Sequence, residues 1–238
     1  MDNTVESILN KTEELTNLWG RPEKIFNLDK NKTAFIVIDV QNFTCSHKSK
    51  PSKPSVNEEE VREEIKHVIE NINLLSDLCH KEKIPVIWVK HNFTITDGTD
   101  DSGLYGKFFK GPVPESMCNL SEGTELYNEL HIDEKTDHVI FKKRYSAFIP
   151  APSKIDELLK KLGRNQLIIA GVASNVCVES TARDAMQLDY EIILVSDGTA
   201  AIDKIMYEMT LANIKLFFGD VRSTEDILND LSQCQEQV

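Results

Sequence analysis

The chain has 238 residues, a formal net charge of -12 and 40% hydrophobic residues. That length suits one large α/β domain with a sizeable core and is short for two. The acidic balance disfavours non-specific binding to nucleic acid or an anionic membrane, and no apolar run approaches a bilayer-spanning length.

Residues 1–30 read as a helical lead-in with a turn at Gly20-Arg21-Pro22. Their polar, acidic start is unlike a secretory or transit signal, so a cytoplasmic location is the expectation. Residues 34–38 (AFIVI) predict a buried strand. Residues 46–57, polar and rich in proline, predict an exposed loop. In residues 58–83, Val61, Ile65, Val68, Ile69, Ile72 and Leu75 recur at helical spacing. Residues 85–89 (PVIWV) predict the next strand, and the glycine- and proline-bearing stretch 94–119 a long loop of the kind that often serves function.

A strand at 138–141 (HVIF) follows, then a helix at 154–162 ended by Gly163. Residues 167–170 (LIIA) predict a strand, 176–188 a helix, 191–195 (EIILV) a strand and 202–218 a helix. In the closing helical stretch, 223–231, Ser223 and Asp226 match a capping box. Continuous apolar strands alternating with helices predict a single doubly wound α/β domain over residues 31–238, a parallel sheet of about six strands with helices on both faces.

In such a sheet, residues just past the carboxyl ends of the strands share one crevice. That rule gathers Asp39, Lys142, Lys143 and the segment 171–177. Cys177 opens a helix, where free amides and the dipole favour an anion, so its thiol is expected to be more acidic than usual. Asp39 is the candidate base, and Lys142 the candidate cation that holds both. Taken singly, a helical cysteine is usually a small buried hydrophobe, and a lysine after a strand is usually solvated. The five cysteines, Cys45, Cys79, Cys118, Cys177 and Cys234, are widely spaced with no CxxC pair, so neither a disulfide framework nor a thiolate zinc site is expected.

Residues 33–43 (TAFIVIDVQNF), 142–148 (KKRYSAF) and 171–185 (GVASNVCVESTARDA) resemble, in order, three motifs of the isochorismatase-like hydrolases. Residues 196–200 (SDGTA) and 218–228 (FGDVRSTEDIL) fit the closing part of the same pattern. The resemblance implies a triad of Asp39, Lys142 and Cys177, with Lys143 as the alternative lysine. It also implies a cis Val172–Ala173 bond, an oxyanion hole built from the amides of Ala173 and Cys177, and Gln41, Phe43 and Tyr145 among the substrate-binding residues. The six histidines show no Asp-x-His segment of the nicotinamidase type, so no metal and no cofactor are expected.

The cysteine followed by Val178-Glu179-Ser180-Thr181 is more like ureido and carbamoyl amidohydrolases. The Lys142–Phe148 segment is closer to isochorismatases, which cleave a vinyl ether. The resemblance thus implies hydrolysis of a C–N bond in a small amide, ureide or carbamoyl compound through a thioester. Vinyl-ether hydrolysis and a non-catalytic binding module are the alternatives. It further implies a homo-oligomer, dimer or tetramer, and a small-molecule substrate, while the acidic balance leaves neither nucleic acid nor membrane as an expected partner.

Overall fold

A computed structural model describes residues 3–45, 58–92, 120–149, 151 and 153–233. The loops expected at 46–57 and 94–119, with Cys118 and Cys234, lie outside the described residues. The elements in chain order are α1 (Asn3–Leu18), β1 (Thr33–Ile38), the short α2 (Asn42–Cys45), α3 (Glu58–Lys81), β2 (Val86–His91), β3 (His138–Lys142), α4 (Lys154–Leu162), β4 (Gln166–Val172), α5 (Glu179–Met186), β5 (Glu191–Ala200), α6 (Lys204–Asn213), β6 (Asp220–Arg222) and α7 (Thr224–Gln233).

Six parallel strands pair in the order β3-β2-β1-β4-β5-β6. Every residue of β1, β2 and β4 is buried, as expected of strands covered on both faces. On one face Phe35, Val37 and Trp88 pack with Ile69, Ile72 and Leu75 of α3 and with Ile227 and Leu231 of α7. On the other, Ile36, Ile38, Ile87 and Val89 pack with Ile155 and Leu159 of α4 and with Val178 and Ala182. The alternation of neighbours along β1 between the two clusters is the period-two rule of an extended chain.

The chain winds outward from β1 to β3 and then returns to place β4 on the other side of β1. The crevice at the β1/β4 junction is therefore the topological switch point, where ligands of such sheets bind. The two strands are in close contact there: Ile38 pairs with Gly171, and a Cβ on Gly171 would lie 2.1 Å from the Ile38 carbonyl oxygen. Gly171 also has φ 118°, which side-chain-bearing residues rarely adopt.

Several sequence boundaries shift. The sixth strand is β6, three residues with two buried polar ends, which carries no apolar run to announce it. β2 runs on to His91 and β3 ends on Lys142, so polar residues finish both strands. The helix expected at 176–188 begins instead as a π-turn, Ser174–Val178, that leads into α5. The one expected at 202–218 is α6 followed by a second π-turn, Ile214–Phe218. Ser223 and Asp226 do bond reciprocally through Asp226 N–H to Ser223 Oγ (3.1 Å) and Ser223 N–H to Asp226 Oδ2 (3.2 Å).

Two buried polar clusters brace the frame. Asp220 accepts from the N–H groups of Ile25 and Phe26, and Arg222 pairs with Asp220 and donates to the Phe26 carbonyl, which ties the lead-in to β6. Asp137, at the foot of β3, has Nε2 of His80 at 2.9 Å from one oxygen, and accepts from Trp88 Nε1 (2.8 Å) and Asp133 N–H (2.9 Å) on the other. Among the described residues, no helix is long and apolar enough to cross a membrane.

Candidate active site

Asp39 follows β1 with a left-handed φ of 54° and donates its N–H to the Val89 carbonyl. That turn carries the carboxylate over the end of β2. Lys142 closes β3, and the thiol of Cys177 comes from the π-turn after β4. The three meet at the switch point. Lys142 Nζ is 2.8 Å from Asp39 Oδ2, 3.4 Å from Cys177 Sγ and 3.1 Å from the Arg144 carbonyl oxygen. Lys142, and not the alternative Lys143, is the lysine that reaches Asp39 and Cys177.

Hydrogen bonds fix the surrounding backbone. The Thr181 hydroxyl donates to the Cys177 carbonyl (2.7 Å) and accepts the Ala147 N–H (3.1 Å), so α5 holds both the π-turn and the segment after Lys142. The Thr199 hydroxyl donates to the Gly171 carbonyl (2.7 Å) just upstream. The Val172–Ala173 peptide is cis. Val172 is buried and Ala173 half-buried, and the Ala173 carbonyl accepts from Val176 and Val178.

The other residues expected at the site divide. Tyr145 is partly exposed, and Cys177 and Lys142 both act on its hydroxyl, whose pKa burial raises. Phe43 is half-buried on α2. Gln41, expected among the substrate-binding residues, is fully buried and its amide is turned to the backbone. Its Oε1 accepts the His91 N–H (2.7 Å), and its Nε2 donates to the carbonyls of His91 (3.1 Å) and Thr124 (2.6 Å).

The expectation of an acidic thiol is reversed. Burial, and then the Asp39 carboxylate, push the Cys177 pKa well up, and Lys142 only partly offsets them. Burial likewise raises Asp39, against the pull of Lys142 and of the Cys177 thiol that bonds to it. Burial pulls Lys142 down, but Asp39 and Cys177 together hold it above the ordinary lysine value. At neutral pH the proton therefore stays on sulfur, next to the Asp39 carboxyl group. Low-dielectric burial outweighs the helix-terminus effect because the whole thiol is desolvated, while the dipole is worth only about 0.3–1 kcal/mol.

The sequence reading missed His91. It is the last residue of β2, 2% exposed, and pairs in register with Lys142. Its Nδ1 is 3.3 Å from Lys142 Nζ and 3.9 Å from Asp39 Oδ2. Burial first, then Lys142 and Arg144, hold its pKa far below the usual histidine value, so it is neutral. Extending the strand past its apolar run to the next two residues would have found it.

Asp39, His91 and Cys177 offer metal-ligand atoms within 4.8 Å of one another. The Lys142 ammonium lies 2.8, 3.3 and 3.4 Å from those groups and brings a positive charge among them that would repel a dication. The residues therefore do not fit a resident metal of the kind nicotinamidases carry.

A doubly wound sheet with a buried acid, ammonium and thiol in contact at its switch point belongs to the class of α/β hydrolases that can work through a nucleophile. The chain belongs to the isochorismatase family, whose model, an isochorismatase domain, matches residues 33–226, and it is a hydrolase. It is 32% identical over 232 residues, 92% of this chain and 96% of the relative, to the ureidoacrylate amidohydrolase RutB of an Enterobacter species. Nicotinamidase 3 of Arabidopsis thaliana is 28% identical over 187 residues, covering 78% of this chain and 82% of that protein. Among solved structures, a cysteine hydrolase from Pseudomonas syringae pv. phaseolicola superposes with a TM-score of 0.75 at 20% identity, over 90% of this chain and 98% of that one.

Proposed function

We propose that this hydrolase cleaves a C–N bond in a small amide, ureide or carbamoyl compound, with Cys177 as nucleophile. The observation that carries the reading is the convergence of Asp39, Lys142 and Cys177 within 3.4 Å of the Lys142 ammonium. The names of two relatives, an ureidoacrylate amidohydrolase and a nicotinamidase, support amide-type substrates.

As sulfur attacks the substrate carbonyl carbon, the thiol proton passes to Asp39, so a free thiolate need not accumulate. The carbonyl oxygen becomes an oxyanion that the amides of Ala173 and Cys177 would receive. The C–N bond then breaks as Asp39 returns its proton to the leaving nitrogen, which leaves a thioester on Cys177. Water attacks that thioester while Asp39 takes a water proton. The sulfur departs and regains the proton, and the acid product is released. Lys142 balances the negative charge that moves between carboxylate and sulfur.

Vinyl-ether hydrolysis needs a proton donor and water but no thiol, so it would leave Cys177 idle. Only the Lys142–Phe148 segment favours it. The test offers the enzyme a panel of ureido, carbamoyl and simple amides, and separately isochorismate, with and without Cys177→Ala. Ammonia release that disappears in the variant is the expected result. Pyruvate release from isochorismate that survives Cys177→Ala, with no amide turned over, would overturn the reading.

A further inference from the structure

A count of hydrogens on the Lys142 ammonium shows that one of them has two claimants. The ammonium has three donors and no acceptor. One goes to Asp39 Oδ2 at 2.8 Å and one to the Arg144 carbonyl at 3.1 Å. Two further acceptors, His91 Nδ1 at 3.3 Å and Cys177 Sγ at 3.4 Å, then remain for the third. An uncharged thiol is a weak acceptor and an imidazole nitrogen a good one, whereas a thiolate is a strong acceptor. The better claimant therefore changes with the state of the sulfur.

We infer that His91 is a positioning residue that accepts the third ammonium hydrogen of Lys142 while Cys177 is a thiol, and yields that hydrogen to sulfur as the thiolate forms. No proton changes owner in this exchange; only the direction of one N–H bond does. The inference rests on the reading of Cys177 as nucleophile.

Several observations fix the roles. An ammonium can only donate, so Nδ1 of His91 is the lone-pair nitrogen and Nε2 carries the ring proton. A protonated imidazole could not serve, and the positive charges of Lys142 and Arg144 with burial keep the ring neutral. Asp39 Oδ2 at 3.9 Å is beyond hydrogen-bond reach of the ring, so the contact that matters is the one to Lys142. Gln41 grips both backbone groups of His91, which leaves the ring little freedom to drift from Lys142. Among the described residues, the titratable and charged groups about the ring and the thiol are Asp39 after β1, Lys142 and Arg144 at the end of β3, Tyr145 beyond them, and Cys177 itself.

Removal of the acceptor leaves a buried ammonium hydrogen with only sulfur to receive it, which favours the thiolate. The experiment follows the iodoacetamide alkylation rate of Cys177 against pH, with the modified peptide mapped by mass spectrometry, in the native protein, His91→Leu and His91→Asn. His91→Leu is expected to shift the alkylation profile down by about one pH unit, the scale of a hydrogen bond to a charged group. His91→Asn, whose carbonyl oxygen can stand near the position of Nδ1, is expected to restore the native profile. An unshifted or upward-shifted profile in a folded His91→Leu, or an equal shift in both variants, would overturn the inference. Should His91→Leu not fold, NMR of nitrogen-labelled histidine in the native protein decides the matter. A proton on Nε2 supports the inference, and one on Nδ1 overturns it. Alkylation needs no substrate, so a profile that responds to His91 in a protein that turns over no amide would sink the proposed reaction and leave this inference standing.

Discussion

Asp137 precedes β3 and Asp39 follows β1, so two aspartates with buried side chains stand at opposite ends of the sheet's strands. Asp137 has donors on both oxygens: the His80 ring on one, and the Trp88 indole and the Asp133 amide on the other. Asp39 spends Oδ2 on Lys142, while among the described residues Oδ1 has no hydrogen-bond partner. A carboxylate with donors on both oxygens is a brace. One with an oxygen reserved for a proton that must come and go is equipped for chemistry.

The largest expected effect sharpens that contrast. Cys177→Ala should reduce amide turnover to background, and Asp39→Asn should lower kcat by about 10²–10⁴-fold, because the amide cannot take the thiol proton. The two losses should not add, since the groups act as a unit, and a double variant compared with each single one checks this. Lys142→Ala should cost roughly 10²-fold, far more than Lys143→Ala, as read from kcat/KM for both. The reverse order would transfer the role to Lys143.

Asp137→Asn should do the opposite of Asp39→Asn. It should lower unfolding free energy by about 1–3 kcal/mol in denaturant titration while turnover per folded molecule stays near native. A loss of activity without a loss of stability would break the comparison. The pH profile offers a finer test. Burial raises the Asp39 pKa from its ordinary value, and the base must be ionised to act. Activity should therefore be absent below that raised value and grow as pH climbs through it. The acid limb of kcat/KM belongs to the coupled Asp39–Lys142–Cys177 group. A limb at or below the ordinary carboxylate value would contradict this. The smallest effect is none at all: exhaustive EDTA treatment should leave turnover intact, because the Lys142 ammonium stands against the groups that, among the described residues, could hold a metal.

How much of this could be read from sequence depends on whether apolarity marks the element. β1, β2 and β4 are apolar enough to be found, and the rule about carboxyl strand ends brings Asp39, Lys142 and Cys177 to one crevice. β6 is three residues with two buried polar ends and leaves no periodic trace. β5 runs five residues beyond its apolar core, because SDGTA continues the pairing that brings Thr199 and Ala200 beside Gly171 and Val172. His91 was missed for the same reason, as the polar end of a strand recognised by its greasy middle. The pKa of Cys177 follows its burial, which a sequence does not display, rather than its helix position, which it does. The second oxygen of Asp39 and the crowding about the Lys142 ammonium depend on contacts between chain-distant residues, which no spacing encodes.

Gln41 serves as a piece of false backbone. Asp39 turns away from the sheet in a left-handed conformation, and a strand that departs there would abandon its neighbour's peptide groups. The Gln41 side-chain amide has the same donor and acceptor as a peptide, and it meets both the N–H and the carbonyl of His91. The ladder thus gains a rung made from a side chain, and the main chain is released to swing Asp39 toward the thiol. Glutamate would lack the donor and add a charge, and asparagine would be one carbon short. The position behaves like a splice in a rail, where length and both end fittings must match.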